Sequence, residues 1–375
     1  MGALADIFRR HGPAYRAQYA DRMPAGQVKA MRAIETCRTA ARGGQRWQCP
    51  GCGEERWAFH SCGNRHCPAC GGDDAREWLR RQEALLLPVR YHLCTFTVPE
   101  ELRRPIRSHP REGLAILFAA SSATLLDVCA NPKWLGARPG LTGVLHTNGR
   151  SMVYHPHVHY VATGGGLAPD GTWREAHGKF LVPVRALSAV FRARFRDELR
   201  RRLPEVFAAV PARTWKRDWV VDSEPVGDGK NALRYLSRYV YRVAVADSAI
   251  TAHDGDTVAF RYRETQTKKV RRMTLPAPEF IRRFLQHVLP SGFVKVRHYG
   301  LHHPSRKRTL TLVRAMLCLR RNQPIPVAPE PEEPLPPPLC PRCSTPMERR
   351  ERTWRPISAA HHPLLVHARG PPVAS

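Results

Sequence analysis

Hydrophobic and polar positions alternate with two different periods along this chain, and the switches between them mark its elements. Tyr91 to Val98 alternates between apolar and polar positions and is rich in β-formers, which predicts a strand. Residues 111–130 are mostly apolar at helical length. Leu141 to His146 and Met152 to Ala162 predict two strands joined by a turn at Asn148-Gly149, a strong hairpin dipeptide. Gly164-Gly165-Gly166 closes the second strand. Residues 184–202 predict an amphipathic, Arg-rich helix, Trp219 to Val221 a short strand, and Asn231 to Val240 a helix. Val258 to Arg263 and Val270 to Leu275 predict a basic hairpin, and Pro278 to Leu289 a further helix. Strands joined by hairpins and interleaved with helices predict an α+β fold with an antiparallel sheet.

Composition divides the chain into three zones. Residues 1–85 hold six of the eleven cysteines, residues 86–320 carry the alternating strands and helices, and residues 321–375 open on the proline-rich run NQPIPVAPEPEEPLPPPLCPRC. Such a run is expected to be largely disordered. At 42% hydrophobic residues the chain can build a core, so disorder throughout is excluded. The 60 lysines and arginines against 32 acidic residues give a net charge of +28, which suits a polyanionic partner such as nucleic acid. Most of the basic residues are arginine, which forks onto phosphates; a coding bias toward arginine accounts for part of the excess but not for the few acids. No run of 18 apolar residues exists, so no membrane span is expected. MGALADIFRRHG lacks a signal-peptide core, so a cytoplasmic, reducing location is expected and the cysteines point to metal rather than disulfides.

Cys49-Pro-Gly-Cys52 and Cys67-Pro-Ala-Cys70 are two knuckles fourteen residues apart. Each sets two thiolates on one turn, and a pair of knuckles completes a tetrahedral, structural zinc site. Cys37, Cys62 and His66 lie nearby in sequence as candidates for a second site or as buried bystanders. Cys94, Cys129 and Cys318 sit singly in apolar runs and read as core. Cys340-Pro-Arg-Cys343 is a lone knuckle without a partner pair.

Tyr154-His-Pro-His-Val-His-Tyr-Val161 carries His155, His157 and His159 at alternate positions, hence on one face of a strand. Several imidazoles on one face suit a metal ion, whereas a lone histidine is more often structural. His157-Val158-His159 is the core of this signal, and His146 on the preceding strand is a weaker candidate. In the helix that follows, Ala232, Leu233, Leu236 and Val240 form an apolar stripe, with Tyr235 and Tyr239 one turn apart beside it. Taken alone, the tyrosines would read as boundary packing residues. Beside a histidine-held divalent ion they suit nucleophilic attack on a DNA phosphorus, with the bond energy kept for rejoining. Arg234 and Arg238 lie on the polar side within reach of phosphates. Arg261, Arg263, Lys268, Lys269, Arg271 and Arg272 on the basic hairpin suit contacts to DNA backbone, or a solvated charged face.

These residues resemble a known family. His157-x-His159 with a helix bearing Tyr-x3-Tyr resembles the HUH endonucleases and, more narrowly, the two-tyrosine rolling-circle transposases of the insertion sequence 91 family. The resemblance covers SCGNRHCPAC (61–70), YHLCTFTVPEELR (91–103), GVLHTNGRSMVYHPHVHYVATGGGL (143–167), YLSRYVYRVAV (235–245) and EFIRRFLQHVLPSGFVKVRHYG (279–300). It implies a small zinc-binding domain, then an HUH-nuclease domain with a central antiparallel sheet and flanking helices. It implies magnesium or manganese at His157 and His159, with no third ligand fixed, although His155 shares their face. It implies Tyr235 and Tyr239 as nucleophiles forming 5′-phosphotyrosine links, and single-stranded DNA at transposon ends and target as partner; no oligomeric state follows. A plasmid or phage replication initiator or relaxase with the same chemistry, and a zinc-ribbon DNA-binding protein without catalysis, are the alternatives.

Overall fold

The fold is that of a computed structural model, which describes residues 2–149, 151–176, 180–240, 244–264, 267, 269–325 and 336–357. In chain order, α1 (Ala3–Tyr19) and α2 (Ala25–Thr36) precede the hairpin β1 (Gly44–Gln48) and β2 (Glu55–Phe59), then α3 (Gly71–Glu83) and β3 (Tyr91–Thr97). Next come α4 (Glu100–Ser108), α5 (Pro110–Ala130), β4 (Gly140–Asn148), β5 (Tyr154–Thr163), β6 (Gly165–Leu167) and β7 (Trp173–Glu175). The chain continues through α6 (Val184–Arg202), α7 (Pro204–Ala208), β8 (Val221–Pro225), α8 (Lys230–Val240), β9 (Ile250–Ala252), β10 (Thr257–Arg263) and β11 (Val270–Pro276). It closes with α9 (Ala277–Leu285), β12 (Val296–Gly300), α10 (Lys307–Arg320) and β13 (Glu348–Thr353). This is an α+β fold with antiparallel sheets, as expected.

The three consecutive zones expected from composition are not how the chain packs. It forms two compact units, each drawn from separated stretches: Met1–Asp73 with Val245–Val288 and Glu330–Ser375, and Asp74–Ala244 with Leu289–Pro329. Composition reports what a stretch is made of, whereas strand pairing decides where it goes.

In the first unit, α1 buries Leu4, Ile7 and Phe8, and α2 buries Met31 and Ile34. The Phe8 ring meets the edge of Phe284 on α9 at 5.2 Å. β9, β10 and β11 form a sheet in the order β11-β10-β9, confirming the basic hairpin with one added strand. β13 pairs with β1 along its free side to give the order β13-β1-β2. Residues 336–357 are therefore structured through β13 and the turn before it, against the expectation of a disordered tail; the remainder of that expectation, 326–335 and 358–375, falls outside the described residues.

In the second unit, five strands form one sheet in the order β12-β4-β5-β3-β8, every neighbouring pair antiparallel. Period two sorts its side chains. Cys94, Phe96, Leu141, Leu145, Val158, Tyr160 and Ala162 face a core completed by α5 and α6. Tyr91, Val144 and Val161 face the other way, into a core with Leu233, Leu236 and Val240 of α8 and Leu310, Val313 and Leu317 of α10. By length and composition α5 would pass as a membrane span, yet 67% of that stretch is buried here, and it is the central helix of the first core. Cys94 and Cys129 lie in that core as expected, and Cys318 is also buried.

The hairpin β4–β5 turns more slowly than Asn148-Gly149 suggests. Asn148 still pairs with Tyr154, and the Gly149 amide donates to the Val153 carbonyl at 2.8 Å. The register slips just before that pairing. His146 opposes His157, while Thr147 alone stands against His155 and Pro156. Pro156 has no amide hydrogen to give to a ladder, so a bulge is the natural place for it.

Candidate functional site

The face of the sheet that α8 covers carries the candidate chemistry. His157 and His159 lie on β5, and His146 lies opposite His157 on β4. The three offer ligand nitrogens that all lie within 4.8 Å of one another. Their ring centroids are 5.2 Å (His146–His157), 4.5 Å (His146–His159) and 4.8 Å (His157–His159) apart. His155 stands outside this group. It lies in the bulge, beyond His157, and the cross-strand neighbour His146 completes the group instead.

Hydrogen bonds orient two of the imidazoles. His157 Nδ1 lies 2.7 Å from the carbonyl oxygen of His155, an acceptor, so Nδ1 carries the proton and Nε2 keeps its lone pair. His159 Nδ1 lies 2.8 Å from Thr95 Oγ1 on β3. His146 Nε2 is buried without a hydrogen-bond partner. Burial lowers the pKa of all three: His146 well below its usual value, with neighbouring His159 and His157 adding to the effect, His157 in the same direction, and His159 to about 3. Each is therefore neutral near pH 7, the form that binds metal. An orphaned buried nitrogen beside two oriented imidazoles is what a bound divalent ion would satisfy, so these residues fit one.

Helix α8 forms because Ala232, Leu233, Leu236 and Val240 repeat at helical spacing and pack on the sheet. That stripe sets Tyr235 and Tyr239 over the histidines. The Tyr239 ring lies 4.7 Å from His146, the Tyr235 ring 6.4 Å from His159, and the two tyrosine rings 4.9 Å from each other. Tyr235 is 43% exposed, so a strand of DNA could reach it. Lys295 caps the end of α8 by donating to the Tyr239 carbonyl, and its charge also bears on His146. Sequence reasoning passed over it because a single lysine ahead of a strand carries no pattern.

Arg234 and Arg238 are exposed on α8, Arg234 lying 3.6 Å from Glu83. On the hairpin, Arg261, Arg263, Lys269, Arg271 and Arg272 are exposed, and Arg271 also meets Glu264 at 3.4 Å. Lys268 lies outside the described residues.

The cysteines pair differently from expectation. Cys67 and Cys70 join Cys37 and Cys62, four sulfurs within 4.8 Å of one another, with Cys70 Sγ at 3.3 Å from Cys37 and 3.4 Å from Cys62. Cys49 and Cys52 are not part of that set. They sit at the turn of the β1–β2 hairpin and face Cys340 and Cys343. His66 belongs to neither set; its ring nitrogen lies 3.1 Å from Asn64 Oδ1. Fourteen residues between two knuckles looked like a pair, but the end of α2 brings Cys37 to Cys70 first.

Comparison with known proteins points to transposases. The family described as "Transposase zinc-binding domain" matches residues 7–98, and that described as "Putative transposase" matches residues 140–309. A Sinorhizobium fredii protein named "Putative transposase y4qJ" is 40% identical over 336 residues, 84% of each chain. The transposase for insertion sequence element IS801 of Pseudomonas savastanoi pv. phaseolicola is 26% identical over 293 residues, 73% of this chain and 70% of that one. No solved structure matches the chain. The zinc-binding segment, the sheet with its histidines and a relative 40% identical over 84% of both chains lead to one conclusion: the protein belongs to the insertion sequence 91 family of transposases.

Proposed function

We propose that this transposase nicks and rejoins single-stranded DNA through Tyr235 and Tyr239, in a rolling-circle mode of transposition. The observation that carries the reading is the convergence of both tyrosine rings on the histidine group, one on His146 and one on His159. His146, His157 and His159 would hold a divalent cation, magnesium or manganese. Bound there, the ion would supply positive charge to a non-bridging phosphate oxygen.

The chain's own residues account for the rest. A tyrosine Oη forms a bond to phosphorus as the bond from phosphorus to the 3′ oxygen breaks. The phenolic proton leaves to solvent, and the 3′ oxygen gains one to become a free 3′ hydroxyl. The product is a 5′-phosphotyrosine, which a 3′ hydroxyl can attack to restore the phosphodiester. Two tyrosines within one helical turn allow a second such transfer before the first is resolved. Arg234 and Arg238 lie on the same helix to meet the backbone. On the β10–β11 hairpin Arg261 stands directly opposite Arg272, an unfavourable like-charge pair that a phosphate would relieve. Cys37, Cys62, Cys67 and Cys70 would hold the structural zinc of the zinc-binding segment.

Covalent trapping tests the proposal. The protein is incubated with manganese and an end-labelled single-stranded oligonucleotide spanning the end of its element. A labelled adduct that survives denaturation is expected, weakened in Tyr235→Phe or Tyr239→Phe and absent from the double variant. An adduct undiminished in the double variant would remove both tyrosines from the chemistry.

A further inference from the structure

Cys340-Pro-Arg-Cys343 lies outside both segments that match the transposase families. The fold nonetheless gives it a partner. Its turn repeats that of Cys49-Pro-Gly-Cys52 bond for bond. The Gly53 amide donates to the Cys49 carbonyl at 3.0 Å and the Ser344 amide to the Cys340 carbonyl at 2.8 Å. The Cys49 amide donates to the Glu54 carbonyl at 2.9 Å and the Cys340 amide to the Thr345 carbonyl at 2.8 Å. Gly53 and Ser344, just past each knuckle, both take positive φ, 72° and 58°. For Ser344 that conformation is uncommon, and it is adopted where the turn requires it.

The four sulfurs converge. Cys343 Sγ lies 3.3 Å from Cys49 and 3.6 Å from Cys52, and Cys340 Sγ lies 3.5 Å from Cys52. A disulfide would hold two sulfurs at about 2 Å, so none is formed. Sulfurs around a tetrahedral zinc with bonds of about 2.3 Å stand somewhat under 4 Å apart, close to these spacings. Cys49 and Cys340 are each 1% exposed, and with Met347 they form a small core against which Trp47 and Cys52 pack. That core has too few apolar side chains to hold two hairpin turns together unaided.

The structure assigns a second metal site here: a four-thiolate zinc site built from Cys49, Cys52, Cys340 and Cys343. It closes a zinc ribbon in which β13 completes the β1–β2 hairpin and Cys340 meets Cys52 across 288 residues of chain. The site is distinct from the Cys37, Cys62, Cys67 and Cys70 cluster and shares no ligand with it. All four donors are sulfur, and the closed set leaves no position open, so its role is structural and its metal zinc rather than magnesium or manganese.

Zinc content and thiol protection in the full-length protein test this. In a His157→Ala/His159→Ala background, which removes zinc bound adventitiously by the histidines, two zinc ions per chain are expected by elemental analysis. Cys340→Ser/Cys343→Ser should fall to one, Cys67→Ser/Cys70→Ser likewise to one, and the combined variant to none. Two ions remaining in Cys340→Ser/Cys343→Ser would overturn the assignment. A measurement on the unmutated chain guards against variants that misfold. Cys49, Cys52, Cys340 and Cys343 should resist alkylation together and become reactive together on chelation. Cys340 and Cys343 reacting as rapidly as in denatured protein, while Cys49 and Cys52 stay protected, would equally overturn it.

Discussion

His146 and His155 have ring centroids at the same distance, 5.2 Å, from His157, and only His146 belongs to the donor set. The difference lies in the third side of the triangle. His146 is also 4.5 Å from His159, whereas His155 is four residues from it along β5. Four residues of strand cover about 13 Å, too far for ligands that must each reach within about 2 Å of one ion. Histidines at alternate positions were legible in the sequence. His146 was legible only as a weaker candidate and its place opposite His157 was hidden, because register depends on the bulge at His155 and Pro156. Thr95 was equally hidden, since it reaches His159 only through the pairing of β3 with β5. Thr95→Val removes the group that holds His159 Nδ1, and manganese affinity at the histidines should fall about 10–100-fold. Titration calorimetry would show this, with Thr95→Ser restoring most of the affinity. An unchanged affinity in Thr95→Val would deny that Thr95 orients the ligand.

The helix that carries the tyrosines was readable from its apolar stripe, and its start depends on one glycine. Gly229 takes φ 84° immediately before α8, and a β-carbon there would lie 2.9 Å from Cγ of the Tyr91 ring. Its carbonyl also accepts the amide of Leu233 at 3.0 Å. Gly229→Ala meets both a disfavoured backbone and a buried aromatic ring, so it should lose more than about 1 kcal/mol of stability. Because the clash falls at the start of α8 and on Tyr91, at the end of β3 away from His157 and His159, adduct formation should drop while manganese affinity is retained. Denaturant unfolding alongside metal titration would separate the two, and loss of metal binding in step with adduct formation would contradict this division. The three Cys-Pro-x-Cys turns were equally plain as local elements. Their partners were not, because a turn of this kind says nothing about which other turn the sheet will bring to it.

The +28 charge spreads over both compact units, and its consequence is salt dependence. Affinity for single-stranded DNA should fall steeply with salt, the logarithmic slope changing by about 0.7 for each phosphate that is no longer neutralised. Arg261→Ala/Arg272→Ala on the β10–β11 hairpin should flatten that slope by about 1.4 if each residue meets one phosphate. Fluorescence anisotropy across a salt series would measure it, and an unaltered slope would return the hairpin to a solvated charged face. Distance along the chain misled the reading of the cysteines for a thermodynamic reason as well. Closing 288 residues rather than fourteen adds only about 3 kcal/mol of loop entropy. Zinc held by four thiolates would offset this several times over, at about 10–16 kcal/mol.

Strand β13 also bears on synthesis. While a chain is being made, β1 has β2 on one side and an open edge on the other until residues 348–353 emerge. An unpaired edge accepts any strand that fits. The β13 of a neighbouring copy fits as well as its own and brings the same pair of cysteines. At high local concentration, exchange of that strand between copies would give a domain-swapped dimer with every ribbon hydrogen bond intact.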